Sequence, residues 1–377
     1  MSKKVVFIST VNIFDKKANG GEKASCEHFR MLQNCFGKDN VFAILFVPKV
    51  EIDKVKENAQ IKVIPKINGN AKLFIAALFG CRVYMPWKEK NILKDIDKVN
   101  PDILFLDFSF AGRLLRKRAT YKTVAFFHNM EADYTYNKVK NEGIIYYPAY
   151  LAAKRNDRWA ACADCVLCFN DRDAKRMEKL YGRKADATIP ITMSDQFDAS
   201  KTNINYKRDL LFLGSLFGPN QDGVEWFIQN VMPALKDIRL TIVGKNFESK
   251  KEQYENYKNV CVVGSVDNPS EYYYKHCAVV MPIRYGAGMK VKTADAMMYG
   301  RHIFASDEAL EGYSVDNVKG IIRCNSAEEY VKKIQNYFDN EEKYAFESDV
   351  RDKFLEEYEI NAVQKKFAII LSSLEEN

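Results

Sequence analysis

Short runs of branched and aromatic apolar residues recur along this chain, and between them lie longer segments whose apolar positions have helical spacing. VVFIS (5–9), FAILFV (42–47), DILFLD (102–107), TVAFFH (123–128) and CVLCF (165–169) show no alternating polar face. A strand without a polar face is buried on both sides, the environment of a parallel sheet covered by helices. The spacing predicts helices over 24–32, Glu89–Val99 and 152–163. Strands alternating with helices define a doubly wound α/β sheet. The rhythm pauses at 188–208, a polar stretch containing Pro190. It restarts with DLLFLGS (209–215), LTIVG (240–244), VCVVGS (260–265), CAVVMP (277–282) and HIFAS (302–306). The expected architecture is therefore α/β with two Rossmann-like domains, 1–195 and 209–377, joined by a linker at 196–208, the C-terminal helix being free to pack back on the first domain. Ligands of such sheets bind beyond the carboxyl ends of the strands, so the cleft between the domains is the expected site.

A chain of 377 residues exceeds what one hydrophobic core usually organises. With 47% hydrophobic and 28% charged residues it has the balance of a globular protein, not a disordered one. No apolar run is long enough to span a bilayer, and the opening MSKKVVFISTVNIF is too short in its apolar part for a signal peptide. The expected location is the cytoplasm, with peripheral contact on the inner face of the membrane left open. Nine scattered cysteines fit reduced thiols there. A net charge of +7 suits an anionic ligand or an anionic lipid surface, and no nucleic-acid motif accompanies it.

The segment most informative about chemistry is MPIRYGAGMKVKTADAMMYG, Met281 to Gly300. It follows a strand, turns through Gly286, Ala287 and Gly288, and opens a helix expected to carry Lys290 and Lys292 in its first turn. Free N–H groups and the positive end of the helix dipole gather there. Cations disfavour that end, so two lysines with Arg284 nearby point to an anion, a diphosphate above all. Asp295 lies three residues after Lys292 on about the same face, where a carboxylate can accept from a ribose.

This segment resembles the donor-binding motif of family 4 glycosyltransferases, which in one branch reads roughly P-x-R-x-G-x-G-x-x-x-K-x-x-E-A-x-x-x-G. Pro282, Arg284, Gly286, Gly288, Lys292, Asp295, Ala296 and Gly300 fill it, with Asp295 where the family usually has Glu. The earlier Glu of the family's E-x7-E pair would fall at Ala287. LFLGSLFGPNQDGVEWFIQNVMPAL (211–235) resembles the opening of the family's donor domain, through Gly214, Pro219, Asn220, Asp222, Trp226 and Phe227. Ser215 stands where many relatives have Arg. EGY (311–313), ANGGEKAS (18–25), FFHNMEADY (126–134) and DCVLCFNDRDAKRMEKLYG (164–182) match further elements in the family's order.

The resemblance implies a GT-B fold and a retaining, metal-independent, hexosyltransferase-like activity without a cofactor, in surface polysaccharide or glycoconjugate synthesis. The implied donor is a UDP- or GDP-sugar and the implied acceptor a glycan or lipid-linked glycan. It places Gly214, Ser215, Arg284, Gly286, Gly288, Met289, Lys290, Lys292 and Asp295 at the donor, and Gly20, Gly21, Asn129 and Glu131 on the acceptor side. His128 and Lys292 are the implied catalytic pair, His128 meeting the transferring sugar. A GT-B sugar epimerase and a non-catalytic nucleotide-sugar-binding subunit are the rival readings.

The remaining signals are accounted for by burial and helix capping. Cys162, Cys165 and Cys168 have C-x2-C-x2-C spacing, but two of them fall in a predicted buried strand and read as small buried thiols. Asp171-Arg172-Asp173 and Asp95-Ile96-Asp97 resemble a D-x-D metal site; helix capping by Asp and an amphipathic face account for them. His28, His276 and His302 match nothing and read as structural. KLFIAALFGCRVYMPWKEK (72–90) and AGRLLRKRATYK (111–122) fit either a membrane interface or ordinary burial and solvation.

Overall fold

The computed structural model describes residues 3–14, 20–55, 57–116, 120–201, 207–340 and 346–374. The chain divides into two compact units, 1–193 with 363–377, and 194–362.

In the first unit the strands are β1 (Val5–Ser9), β2 (Val41–Val47), β3 (Ile61–Pro65), β4 (Ile103–Asp107), β5 (Lys122–Phe127), β6 (Cys165–Cys168) and β7 (Ala187–Thr188). They form one sheet in the order β3-β2-β1-β4-β5-β6-β7, and every pairing is parallel. In the second unit β8 (Asp209–Leu213), β9 (Arg239–Val243), β10 (Val260–Gly264), β11 (Ala278–Met281), β12 (His302–Ala305) and β13 (Ile321–Arg323) run parallel in the order β10-β9-β8-β11-β12-β13. Both are doubly wound sheets, as the alternating sequence requires. In each the strand order reverses once, between β1 and β4 and between β8 and β11, and a crevice opens at the carboxyl ends of those neighbours.

Among the described residues all strands but three lie where the apolar runs fall. The three, β3, β7 and β13, are edge strands, half-exposed and as short as two residues, so they carry no continuous apolar run. The central strands β1 and β4 are buried at every position, and Phe7 and Phe105 stack across them with ring centroids 5.8 Å apart. The helix Ile360–Ser373 contributes its later part to the first unit. There Phe367 is buried 5.9 Å from the Phe105 ring, Gln364 Nε2 donates to the Met31 carbonyl and Lys366 Nζ to that of Thr188.

Two helix ends differ from expectation. The helix Val291–Met298 begins one residue after Lys290, which is its N-cap, so only Lys292 lies in the first turn. In the helix Asp171–Tyr181 the cap is Asn170, whose side chain accepts from the Asp173 N–H. Among the described residues no helix is long and apolar enough to cross a membrane.

Candidate functional site

In the second unit the crevice beside β8 and β11 is built by close backbone approach. A Cβ on Gly214, at the end of β8, would stand 2.9 Å from both the Asn220 amide nitrogen and Lys292 Nζ. A Cβ on Gly223 would stand 2.2 Å from the Pro282 carbonyl, so the helix Gly218–Asn230 lies directly on the loop after β11. Gly288 turns that loop into the next helix with φ of +63°, a conformation that favours glycine.

Lys292 Nζ is enclosed by this packing. It donates to Asn220 Oδ1 and lies 4.6 Å from the centre of the buried Phe212 ring. Asn220 Nδ2 in turn donates to the Ser215 carbonyl at 2.7 Å, fixing the turn after β8. Burial, with the like charge of Lys290 nearby, pushes the Lys292 ammonium down to about 7. Among the described residues no carboxylate pairs with it.

The other cations are engaged differently. Lys290 Nζ donates to Glu308 Oε1 at 2.7 Å and to the Gly288 carbonyl at 2.8 Å, so its charge is matched inside the loop and does not add to an open anion site. The Arg284 guanidinium is half-exposed, 3.6 Å from the Asp222 carboxylate and 5.7 Å from the Trp226 ring. Met289 and Asp295 are buried and Gly286 is exposed. The Asp295 charge helps to push the hydroxyls of Tyr273, Tyr299 and Tyr313 above their ordinary range, which burial already raises.

In the first unit the strand-end site centres on Asp107, a fully buried carboxylate at the end of β4. His128, just past β5, donates from Nε2 to its Oδ1 at 2.8 Å. His28, on the helix Gly20–Phe36, reaches the same oxygen from Nδ1 at 2.7 Å, and Ser9 Oγ donates to Oδ2 at 3.0 Å. His28 and Asp107 thus join His128 in a buried cluster that the sequence does not disclose: each reads alone as an ordinary member of its helix or strand. Burial would raise the Asp107 carboxyl, but the two imidazoles hold it well below the usual carboxylate range. Burial likewise presses His128 below its ordinary value despite the pull of Asp107.

Among the described residues His28, Asp107 and His128 are the one grouping whose ligand atoms could surround a metal ion. Both nitrogens lie at hydrogen-bonding distance from one oxygen, whereas ligands held ~2.0–2.1 Å from a shared tetrahedral ion stand farther apart. The geometry is that of hydrogen bonds. One aspartate of each D-x-D is engaged elsewhere: Asp95 pairs with Lys62 and Lys98, and Asp173 belongs to the Asn170 cap. Cys165 and Cys168 are buried on β6, and burial pushes the Cys165 thiol up to about 12.

Gly20 and Gly21 open the helix Gly20–Phe36; Ala18 and Asn19 of the same motif lie outside the described residues. Asn129 and Glu131 follow His128, and each has one buried oxygen without a hydrogen-bond partner among the described residues. Glu131 sits beside a second buried carboxylate, Asp157, which accepts from Ser109 Oγ at 2.5 Å and the Ala132 N–H at 2.9 Å. The partly buried Arg82 donates to Thr135 Oγ1 at 3.0 Å. Burial drives Glu131 up to about 8, against the pull of Arg82 and with the push of Asp157.

An acid held protonated by the fold loses stability as pH rises from its unfolded value, about 4.3, through its folded one. Glu131→Gln, which keeps the neutral form's shape, is therefore expected to raise Tm relative to wild type by a margin that grows between pH 5 and pH 8. Thermal melts at the two pH values check this; a margin that shrinks with pH contradicts it.

The 72–90 segment is not buried throughout. Leu73, Phe74, Ile75, Leu78 and Phe79 are exposed along and just beyond the helix Asn70–Leu78, and Trp87 is 69% exposed. Ile144 and Ile145, at 77% and 68%, project between the helices Glu131–Glu142 and Tyr147–Ala160, an exposure that the sequence does not signal. Lys138 lies over the Tyr134 and Tyr146 rings and Lys140 over Tyr136. Of the second basic segment, Arg113 is engaged by Glu89 and the Phe79 carbonyl, and Lys117 and Arg118 lie outside the described residues.

Two doubly wound parallel sheets, each with its crevice at the strand-order reversal, give this chain the GT-B fold. Residues 207–340 match the family model described as glycosyl transferases group 1. The sucrose-phosphate synthase of Thermosynechococcus elongatus superposes with a TM-score of 0.75 at 14% identity, covering 99% of each chain. The HepE protein of Anabaena, crystallised with UDP, superposes with a TM-score of 0.69 at 11% identity, covering 98% of this chain and 100% of that one. An uncharacterised 44.6 kDa protein of the Klebsiella pneumoniae cps region is 26% identical over 234 residues, which span 56% of this chain and 58% of that protein's length.

Proposed function

We propose that this chain is a glycosyltransferase that takes a sugar from a nucleoside-diphosphate donor held by the second unit and passes it, with retention, to a glycan or lipid-linked acceptor. The observation that carries this reading is Lys292: a cation enclosed at a helix N-terminus, hydrogen-bonded to a neutral amide and crowded by a second cation. Such an arrangement is completed by an anion, and a diphosphate matches both the ammonium and the positive end of the helix dipole. Arg284 lies on the same loop and can swing from Asp222 to the phosphates. UDP in the crystals of HepE supports a uridine donor, with GDP the alternative.

As the glycosyl bond breaks, negative charge gathers on the leaving diphosphate, where Lys292 and the helix end stabilise it. In this reading the diphosphate oxygen accepts the proton of the attacking hydroxyl, Asp295 binds the ribose and His128 meets the sugar. Transfer is expected to persist in EDTA, because a side chain and a helix end supply the charge neutralisation. Incubation with a panel of UDP- and GDP-sugars, with and without chelator, tests this. Release of nucleoside diphosphate from one of them supports it, and epimerised donor without release supports the epimerase instead. Loss of release in EDTA, restored by magnesium or manganese, contradicts metal independence.

The exposed apolar residues of the first unit, with lysines beside exposed tyrosines, support weak peripheral binding to anionic membranes, where a lipid-linked acceptor would reside. Flotation with anionic liposomes is expected to carry the protein at low salt and less at high salt. Absence from the floated fraction at low salt contradicts the idea.

A further inference from the structure

The protonation of the buried His28–Asp107–His128 group follows from its contacts. Two nitrogens within 2.8 Å of one carboxylate oxygen must each place a hydrogen toward it, because facing lone pairs repel. His28 therefore carries its proton on Nδ1 and His128 on Nε2. The remaining His28 nitrogen, Nε2, is buried without a hydrogen-bond partner among the described residues. An N–H there would be an unmet buried donor, whereas a bare lone pair is the less costly orphan, so His28 is neutral. The His128 ring lies on Phe108, with centroids 3.6 Å apart and planes at 22°, and meets the edge of Phe169 at 4.7 Å. Phe108 has φ of +86°, an uncommon conformation for a residue with a side chain, and its ring backs the imidazole. Enclosed by these rings the imidazole is stripped of water, and that desolvation disfavours an imidazolium.

We propose that Asp107 and His28 are positioning residues that lock His128 as the neutral Nε2–H tautomer, so that its free nitrogen, Nδ1, meets a ligand as a hydrogen-bond acceptor. His128 then accepts from a hydroxyl and does not donate to a phosphate. Asp107 anchors the ring, Ser9 and His28 occupy the rest of the carboxylate, and the two histidines hold opposite tautomers. The part of this that concerns a sugar hydroxyl rests on the function proposed above; the tautomers do not.

Long-range ¹H–¹⁵N correlation spectra of the uniformly ¹⁵N-labelled protein at pH 7.5 test the lock directly. The chain has four histidines, so loss of one signal set in His128→Asn assigns it. The expected pattern is a protonated Nε2 with an unprotonated Nδ1 for His128, and the reverse for His28. A protonated Nδ1 on His128, alone or with Nε2, overturns the proposal. In Asp107→Leu, which removes the acceptor and keeps the γ-branched shape, His128 is expected to become a tautomer mixture. Transfer should then lose kcat by at least tenfold while KM for the donor moves little. A His128 signal in Asp107→Leu identical to wild type overturns the role of Asp107. Should that variant fail to fold, the wild-type spectrum still decides. Locked tautomers in a protein that turns over no nucleotide sugar would leave the lock standing and remove the transferase reading.

Discussion

Lys292→Ala is expected to weaken binding of a nucleoside diphosphate by roughly ten- to a hundredfold, since a buried charge-assisted contact to phosphate contributes on the order of 1.5–3 kcal/mol. The variant also removes the ammonium that crowds Gly214 and Asn220, so a melting curve accompanies the measurement. The effect has a pH signature. In the free protein burial pushes Lys292 down to about 7, so above that pH much of it is neutral. A bound diphosphate favours the charged form and draws a proton on. Affinity is thus expected to fall as pH rises from 7 to 9, with net proton uptake that grows over the same window. The ligand's own ionisation is common to wild type and variant, so the difference between them isolates the lysine. A pH slope that survives unchanged in Lys292→Ala contradicts the assignment.

His128→Ala is expected to leave free nucleotide binding within about twofold and to lower transfer on the order of a hundredfold, the scale of one aimed polar contact in a transition state. His128 belongs to the first unit and Lys292 to the second, so the two substitutions should separate cleanly between binding and turnover. Saturation kinetics in donor, together with nucleotide titration, checks this. Equal turnover would leave His128 as a buried partner of Asp107 and nothing more.

The sheets are legible in the sequence because central parallel strands must be apolar on both faces, as VVFIS and DILFLD are. Edge strands escape that requirement, and β3, β7 and β13 accordingly leave no such run. The loop after β11 is legible because it sets glycines, lysines and an acid at fixed offsets, and few structural needs other than anion binding would gather them at a helix start. That spacing does not reveal the division of labour among the cations: Lys290 is taken by Glu308, eighteen residues away, while Lys292 is held by Asn220, seventy-two away. In the first unit, likewise, His28 and Asp107 are separated by seventy-nine residues and meet only through the register of β1 with β4 and the packing of a helix on them. Partnerships set by topology leave no local pattern, so a single histidine on a helix gives no sign of them. The exposed pair Ile144 and Ile145 is hidden for a different reason: apolar residues at a connection look like any short buried run.

Calorimetric titration of UDP and of uridine, with GDP and guanosine alongside, into wild type and Lys292→Ala separates the phosphate contact from those to base and ribose. Wild type is expected to bind one nucleoside diphosphate more tightly than its nucleoside, and Lys292→Ala to lose most of that difference while its affinity for the nucleoside changes far less. Equal weakening of nucleoside and diphosphate, or no change in either, would place the phosphate site somewhere other than the loop after β11.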